Sequence, residues 1–261
     1  DIVLTSDGAA QLKELCGRAR HALRVLEHWQ FGRKHAGRAG LTALFAGPPG
    51  TGKTMGAEIV AAELGLELFR IDLAAIVSKY IGETEKNLDR IFGVAEKGDA
   101  VLLFDEADAL FGKRSETRDA HDRYANVEIA YLLQRLETYD GVAILTTNLR
   151  GNLDEAFLRR LDFGIDFPMP EEAERLRIWQ LSLPTAAPLA DDVDLEFLAR
   201  KFRLSGGHIR NIALAGAFLA AQSGGPIGMG DLVRACRREY QKLGKLIREA
   251  DFEKYYALLK E

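Results

Sequence analysis

Apolar and polar positions follow two alternating periods along the first two-thirds of the chain and a single period after that. Residues 11–30 repeat apolar side chains at Leu12, Leu15, Ala19, Ala22, Leu23 and Leu26, the spacing of an amphipathic helix. The glycine-broken basic stretch 31–40 reads as a loop. Short apolar runs at 41–46, 67–71, 101–104, 142–146 and 163–167 then predict strands, with helices over 54–64, 83–97, 121–138 and 154–160 between them. Leu88, Ile91, Phe92 and Ala95 would be the buried stripe of the helix over 83–97, and Ala125, Ile129, Leu132 and Leu136 that of the helix over 121–138. Strands that lack polar alternation and are separated by helices are covered on both faces. The pattern therefore predicts an α/β domain on a five-stranded parallel sheet.

Beyond Pro168-Met169-Pro170 the strand runs stop. Helical spacing fills 171–183, 194–202, 207–222 and 231–247, the last with Leu232, Cys236, Tyr240, Leu243 and Ile247 on one stripe and Asp231 as its N-cap. The expected division is an α/β nucleotide-binding domain at 1–168, including the helix over 11–30, and a small all-α lid at 171–261.

Composition narrows the classes. With 47% hydrophobic and 28% charged residues, the 261-residue chain can bury a sizeable core. A net charge of -4 argues against wholesale electrostatic binding of nucleic acid. No apolar run approaches the roughly 20 residues of a membrane helix, and no signal peptide opens the chain. Cys16 and Cys236 have no partner at metal-ligand spacing and read as reduced thiols, so a cytoplasmic location is expected. Asp1 in the place of an initiator Met points to a preceding segment.

The chemistry begins at Gly47-Pro48-Pro49-Gly50-Thr51-Gly52-Lys53-Thr54, followed by Met55, between a predicted strand and a predicted helix. Small residues let successive backbone N–H groups turn around phosphate oxygens, Lys53 would reach the β- and γ-phosphates, and Thr54 would face Mg²⁺. The helix beginning there points its positive end at the same phosphates. ATP is the ligand this predicts. Asp105 and Glu106 end the next apolar strand, where ligands sit in an open α/β sheet. Asp105 would hold the metal and Glu106 would polarise the attacking water. Asn148 ends a further strand at the same edge and could orient that water.

In that order these residues resemble the AAA+ ATPase family over about residues 31–247, and Glu106-Ala107-Asp108-Ala109-Leu110 resembles the AAA subgroup that includes katanin, spastin, FtsH and Cdc48-type unfoldases. The short single cassette is also similar to stand-alone bacterial members, including those that accompany contractile injection systems. The resemblance implies that Thr54 and Asp105 serve the metal, Glu106 is the base and Asn148 the first sensor. Arg159 and Arg160 would be arginine fingers acting on the γ-phosphate of a neighbouring copy. It implies a ring, in this family a hexamer, that threads a polypeptide past the Lys79-Tyr80-Ile81 pore loop. Arg210, in Ser205-Gly206-Gly207-His208-Ile209-Arg210, falls at the second-sensor position, where the AAA subgroup usually lacks arginine and clamp loaders carry one. Phe31 and Gly32 lie where adenine contacts often fall, and 112–122 would be a second channel-facing loop. Two other functions remain open at this point. One is a nucleic-acid-associated loader, in which Tyr80 stacks on bases, and the other an ATP-gated assembly scaffold.

Overall fold

The computed structural model describes residues 2–35, 40–73, 83–108, 130–148, 155–245 and 248–259. These divide into two compact units: Thr5–Pro48 with Lys53–Phe167, and Pro168–Glu261 with Asp1–Leu4 and the loop tip Pro49–Gly52.

In the α/β unit, α1 (Ser6–Leu23) leads through a π-helical turn (Arg24–His28) to the short α2 (Phe31–His35). Helix α1 starts five residues earlier than the apolar spacing indicates, because the Thr5 hydroxyl accepts the Gly8 N–H and caps it. Residues 6–10 carry no large apolar side chain, so periodicity cannot see them. Leu12 and Leu15 are buried, whereas Leu23, expected on the same stripe, is 60% exposed at the end of α1, where the π turn begins. Residues 31–35, read as loop, are helical.

Five strands follow, β1 (Leu41–Ala46), β2 (Leu68–Asp72), β3 (Val101–Asp105), β4 (Val142–Thr147) and β5 (Phe163–Asp166). They form one sheet in the order β2-β3-β4-β1-β5, every pairing parallel. Central strands β1 and β4 are buried along their whole length, which is why they read as unbroken apolar runs. Edge strand β5 alternates buried and exposed positions. Helices α3 (Lys53–Leu64), α4 (Glu83–Gly98), α5 (130–138) and the single-turn α6 (Glu155–Leu158) complete the unit. Leu88, Phe92 and Ala95 of α4 and Leu132 and Leu136 of α5 pack on Leu102, Phe104, Ala143 and Leu145, one face of the sheet. Fully burying a Phe or Leu in this layer contributes about 1.5–3 kcal/mol. The remaining residues of the helix expected over 121–138, Ala125 and Ile129 among them, lie outside the described residues.

The helical unit contains α7 (Glu172–Ser182), α8 (Leu195–Lys201), α9 (Gly206–Ser223), α10 (Met229–Lys242), α11 (Glu249–Phe252) and a 3₁₀ segment (Glu253–Leu259). Trp179, Phe197, Phe202, Ile212, Leu232, Cys236 and Phe252 build its core, with Tyr240 and Leu243 packed against them. Asp231 is not the N-cap of α10: the helix begins at Met229, and the Asp231 carboxylate reaches back to accept the Gly228 N–H at 3.1 Å. Helix α10 stops at Lys242, short of the expected residue 247, as Gly244 takes φ +65° and ends the helical path. Arg175 is buried, its guanidinium donating to the carbonyls of Ala199 at 2.7 Å and Pro170 at 2.6 Å.

Candidate active site

Register brings the chemistry together. Ala46, after which the glycine-rich loop begins, pairs with Thr147, and Phe104 pairs with Leu145, so Asp105 lies beside Thr146. The loop of β1, the acids of β3 and the asparagine after β4 therefore share the carboxyl edge of three adjacent strands. That is where a parallel sheet leaves a crevice for ligands.

Lys53 opens α3 and is 8% exposed. Its ammonium donates to Gly47 O at 2.7 Å, Pro48 O at 2.9 Å and Asn148 Oδ1 at 2.9 Å. Burial pulls the Lys53 ammonium below its ordinary pKa, an effect opposed by the carboxylates of Asp108, Asp105 and Glu106. Gly47 tolerates no side chain: a Cβ there would lie 2.0 Å from the Phe167 carbonyl oxygen. Gly52 has φ +103°, a conformation other residues rarely adopt. Thr51 and Met55 are half-buried, and Pro49 and Gly50 are exposed.

The Asp105 carboxylate, 13% exposed, is approached from several sides. Thr146 Oγ1 donates to its Oδ1 at 2.5 Å, Thr54 Oγ1 lies 3.4 Å from its Oδ2, and the Arg70 guanidinium stands 2.5 Å from that same Oδ2. Glu106 is exposed and has φ +55°, a left-handed conformation uncommon for a non-glycine residue and often found at active sites. Asn148 is gripped twice by Asp108: its backbone N–H donates to Oδ1 at 2.9 Å and its side-chain amide to Oδ2 at 3.2 Å.

Thr54 and Asp105 offer two hard oxygens within one ion's reach, and Mg²⁺ typically takes one or two protein oxygens, the rest being water and phosphate. Among the described residues no group of three or more His, Cys, Asp or Glu could hold a metal alone. Thr54 and Asp105 therefore fit a magnesium ion that would take its other ligands from water and phosphate.

Arg159 and Arg160 follow α6, both exposed, and Arg160 Nε pairs with Glu137 at 2.8 Å. Phe31 is 50% exposed at the start of α2, and a Cβ on Gly32 would stand 3.2 Å from the Leu26 carbonyl oxygen. Arg210 is exposed in the first turn and a half of α9. Lys79, Tyr80 and Ile81, with the loop 112–122, lie outside the described residues. In the helical unit, Gly207 N–H donates to Gly50 O at 2.8 Å, and the Ile2 side chain is 3.2 Å from the position of a Cβ on Gly52.

Four contributors escaped the sequence reading: Arg70, Asp108, Thr146 and Ile2. Asp108 carried a signal, a second carboxylate three residues after Asp105. Thr146 carried another, a hydroxyl in an otherwise apolar run.

No helix among the described residues is long and apolar enough to cross a membrane. Residues 43–169 match the model of the ATPase family associated with various cellular activities (AAA), and residues 171–241 that of the contractile injection system ATPase helical domain. An uncharacterized AAA family ATPase, y4kL of Sinorhizobium fredii (strain NBRC 101917 / NGR234), is 39% identical over 74% of this chain and 56% of its own length. The ATP-dependent zinc metalloprotease FtsH 3 of Sphaerobacter thermophilus is 36% identical over 79% of this chain and 43% of its own. The 26S proteasome subunit RPT4 of Saccharomyces cerevisiae is 33% identical over 77% and 50%. The chain thus spans about half the length of the relatives it matches. A parallel five-stranded sheet with its phosphate loop and acids in place, joined to the matched helical domain, makes the chain a member of the AAA ATPase family, whose domain is an ATPase.

Proposed function

We propose that the chain hydrolyses Mg²⁺-ATP at sites completed by a neighbouring copy in a ring, a hexamer in its simplest form, and uses the cycle to remodel a protein client. The observation that carries the nucleotide chemistry is the convergence of the Lys53 ammonium, Thr54 hydroxyl, Asp105 carboxylate and Asn148 amide at one sheet edge. Thr54 and Asp105 would hold magnesium, which when bound would offset charge on the β- and γ-phosphate oxygens. Lys53 exchanges its contacts with the Gly47 and Pro48 carbonyls for phosphate oxygens. Glu106 takes the proton of the water whose oxygen bonds to the γ-phosphorus as the bond to ADP breaks, and Asn148 orients that water. Arg159 and Arg160 supply charge to the adjacent copy's phosphate.

The metalloprotease and proteasome relatives support a protein client, and the helical-domain match supports one belonging to a contractile injection system. Lys79, Tyr80 and Ile81 are the residues proposed to grip it. Steady-state hydrolysis against protein concentration is the test, for the wild type, Glu106→Gln, and Arg159→Ala with Arg160→Ala. Specific activity should rise with concentration, and both variants should lose it. Activity that stays flat per chain and survives loss of the arginines would overturn the shared site. Stimulation by unfolded polypeptide that disappears in Tyr80→Ala supports the client, and stimulation by nucleic acid alone overturns it.

A further inference from the structure

We propose that the Thr146 hydroxyl is a positioning group for hydrolysis, locking the Asp105 carboxylate and the Glu106 backbone to each other. The inference rests on the reading of Asp105 and Glu106 given under Proposed function. Thr146 is 1% exposed on β4, and its Oγ1 makes two hydrogen bonds to consecutive residues of the neighbouring strand end. It accepts the Glu106 N–H at 3.1 Å and donates to Asp105 Oδ1 at 2.5 Å. The direction of both is forced. A backbone N–H can only donate, so the hydroxyl must accept there and commit its single proton to the carboxylate. A third bond ties the same residue to this turn, from Ala107 N–H to the Thr146 carbonyl at 2.8 Å.

Two consequences follow for the chemistry. The bond to Oδ1 fixes the carboxylate rotamer with Oδ2 toward the Thr54 hydroxyl, the oxygen proposed to meet the metal. The bond from Glu106 N–H holds that residue in its left-handed conformation at φ +55°, which sets where the carboxylate of the base can reach. A buried hydroxyl makes a stronger hydrogen bond to a carboxylate than one in solvent does, so Thr146 resists rearrangement of either acid. Packing alone would not require it. Valine has the same shape and β-branch and would fill the site equally well.

The test compares Thr146→Val, Thr146→Ala and Thr146→Ser with the wild type, and uses Glu106→Gln as the control for the underlying reading. Measurements are kcat and KM for ATP hydrolysis, binding of a fluorescent ATP analogue, and the thermal unfolding midpoint. Misplacing reacting groups by about 1 Å costs on the order of a hundredfold in rate, so Val and Ala should each lose about tenfold or more in kcat. Analogue binding should stay within about threefold of wild type in all three variants, since Lys53 and the glycine-rich loop are untouched. Ser should recover most of the rate lost by Ala, the two differing by one hydroxyl. The proposal is overturned if Val turns over like the wild type while Glu106→Gln is inactive, or if folded Ser and Ala are equally slow. Should Val fail to fold, the Ser and Ala pair still decides. Full activity in Glu106→Gln would instead overturn the reading of the base.

Discussion

The Arg70 guanidinium and the Thr54 hydroxyl converge on the same oxygen of Asp105, at 2.5 Å and 3.4 Å. Strand register produces the first contact. Arg70 pairs with Leu103 and Asp72 with Asp105, so Arg70 reaches Asp105 diagonally across the β2-β3 ladder. A magnesium ion held as proposed would share that carboxylate oxygen with the guanidinium. Removing the guanidinium should strengthen magnesium binding. The arginine side chain is 64% exposed, and such pairs are worth only about 0.2–1 kcal/mol, equivalent to roughly a one-and-a-half- to fivefold change. Arg70→Ala should lower the Mg²⁺ concentration at half-maximal binding of a fluorescent ATP analogue by that factor, with Arg70→Lys in between. An unchanged or raised requirement would sink the idea.

Asp108 fixes Asn148 through both its oxygens, while the Asn148 carbonyl oxygen receives Lys53. Cutting this anchor frees the amide to rotate. Asp108→Ala should leave nucleotide binding within a few-fold of wild type and slow single-turnover hydrolysis by about a hundredfold, the scale of a misplaced catalytic group. Equal losses in binding and turnover would point to a collapsed loop instead.

The same residues mark how far the sequence could be read. The five strands and the phosphate loop were legible because two-faced burial writes itself as unbroken apolar runs, and Lys53, Asp105 and Asn148 follow those runs directly. Arg70 was not, since only strand register turns a polar residue in mid-strand into a neighbour of Asp105. Thr146 was hidden for a related reason: its partners are 40 and 41 residues away. The early start of α1 depended on a cap instead of a period. At Asp231 the capping chemistry was legible but its position was not, since the side chain reaches back three residues.

Two glycines on helices should respond to alanine with opposite signs. A Cβ on Gly56 of α3 would lie 2.8 Å from Phe167 Cζ and 3.4 Å from Phe45 Cε2, whereas one on Gly17 of α1 meets nothing within 4 Å. Alanine favours a helix by about 0.5–1 kcal/mol over glycine. At Gly17 nothing opposes that gain, so Gly17→Ala should raise the unfolding midpoint. At Gly56 the gain meets an overpacking cost of about 1–3 kcal/mol from two packed rings, so Gly56→Ala should lower it. Equilibrium unfolding in urea checks both, and a Gly56→Ala protein more stable than wild type would show that Phe167 can move aside.

Acid sensitivity in the helical unit should trace to two carboxylates. The Phe197 N–H at the start of α8 holds Asp194 below its ordinary value of 3.8, helped against burial by Tyr255, Lys254 and Arg200. Burial pushes Glu239 up, but its hydrogen bonds with His208 at 2.7 Å and Lys242 at 3.1 Å outweigh that and leave it below 4.5. A carboxylate lowered in the folded state binds fewer protons there than in the unfolded chain over the window between the two values. Stability from these groups is therefore fully present above about pH 5 and is lost as pH falls through their lowered folded values. Their contribution between pH 6 and 8 should be flat. Replacing Asp194 with Asn and Glu239 with Gln should lower the midpoint at pH 7, where both native interactions count, and flatten its decline between pH 5 and pH 3. Asn caps a helix as well as Asp does, so the change at Asp194 removes the carboxylate charge beside Lys254 and Arg200 and leaves the cap in place. Thermal unfolding across that range measures both effects, and an acid slope unchanged in the double variant would assign the sensitivity to other carboxylates.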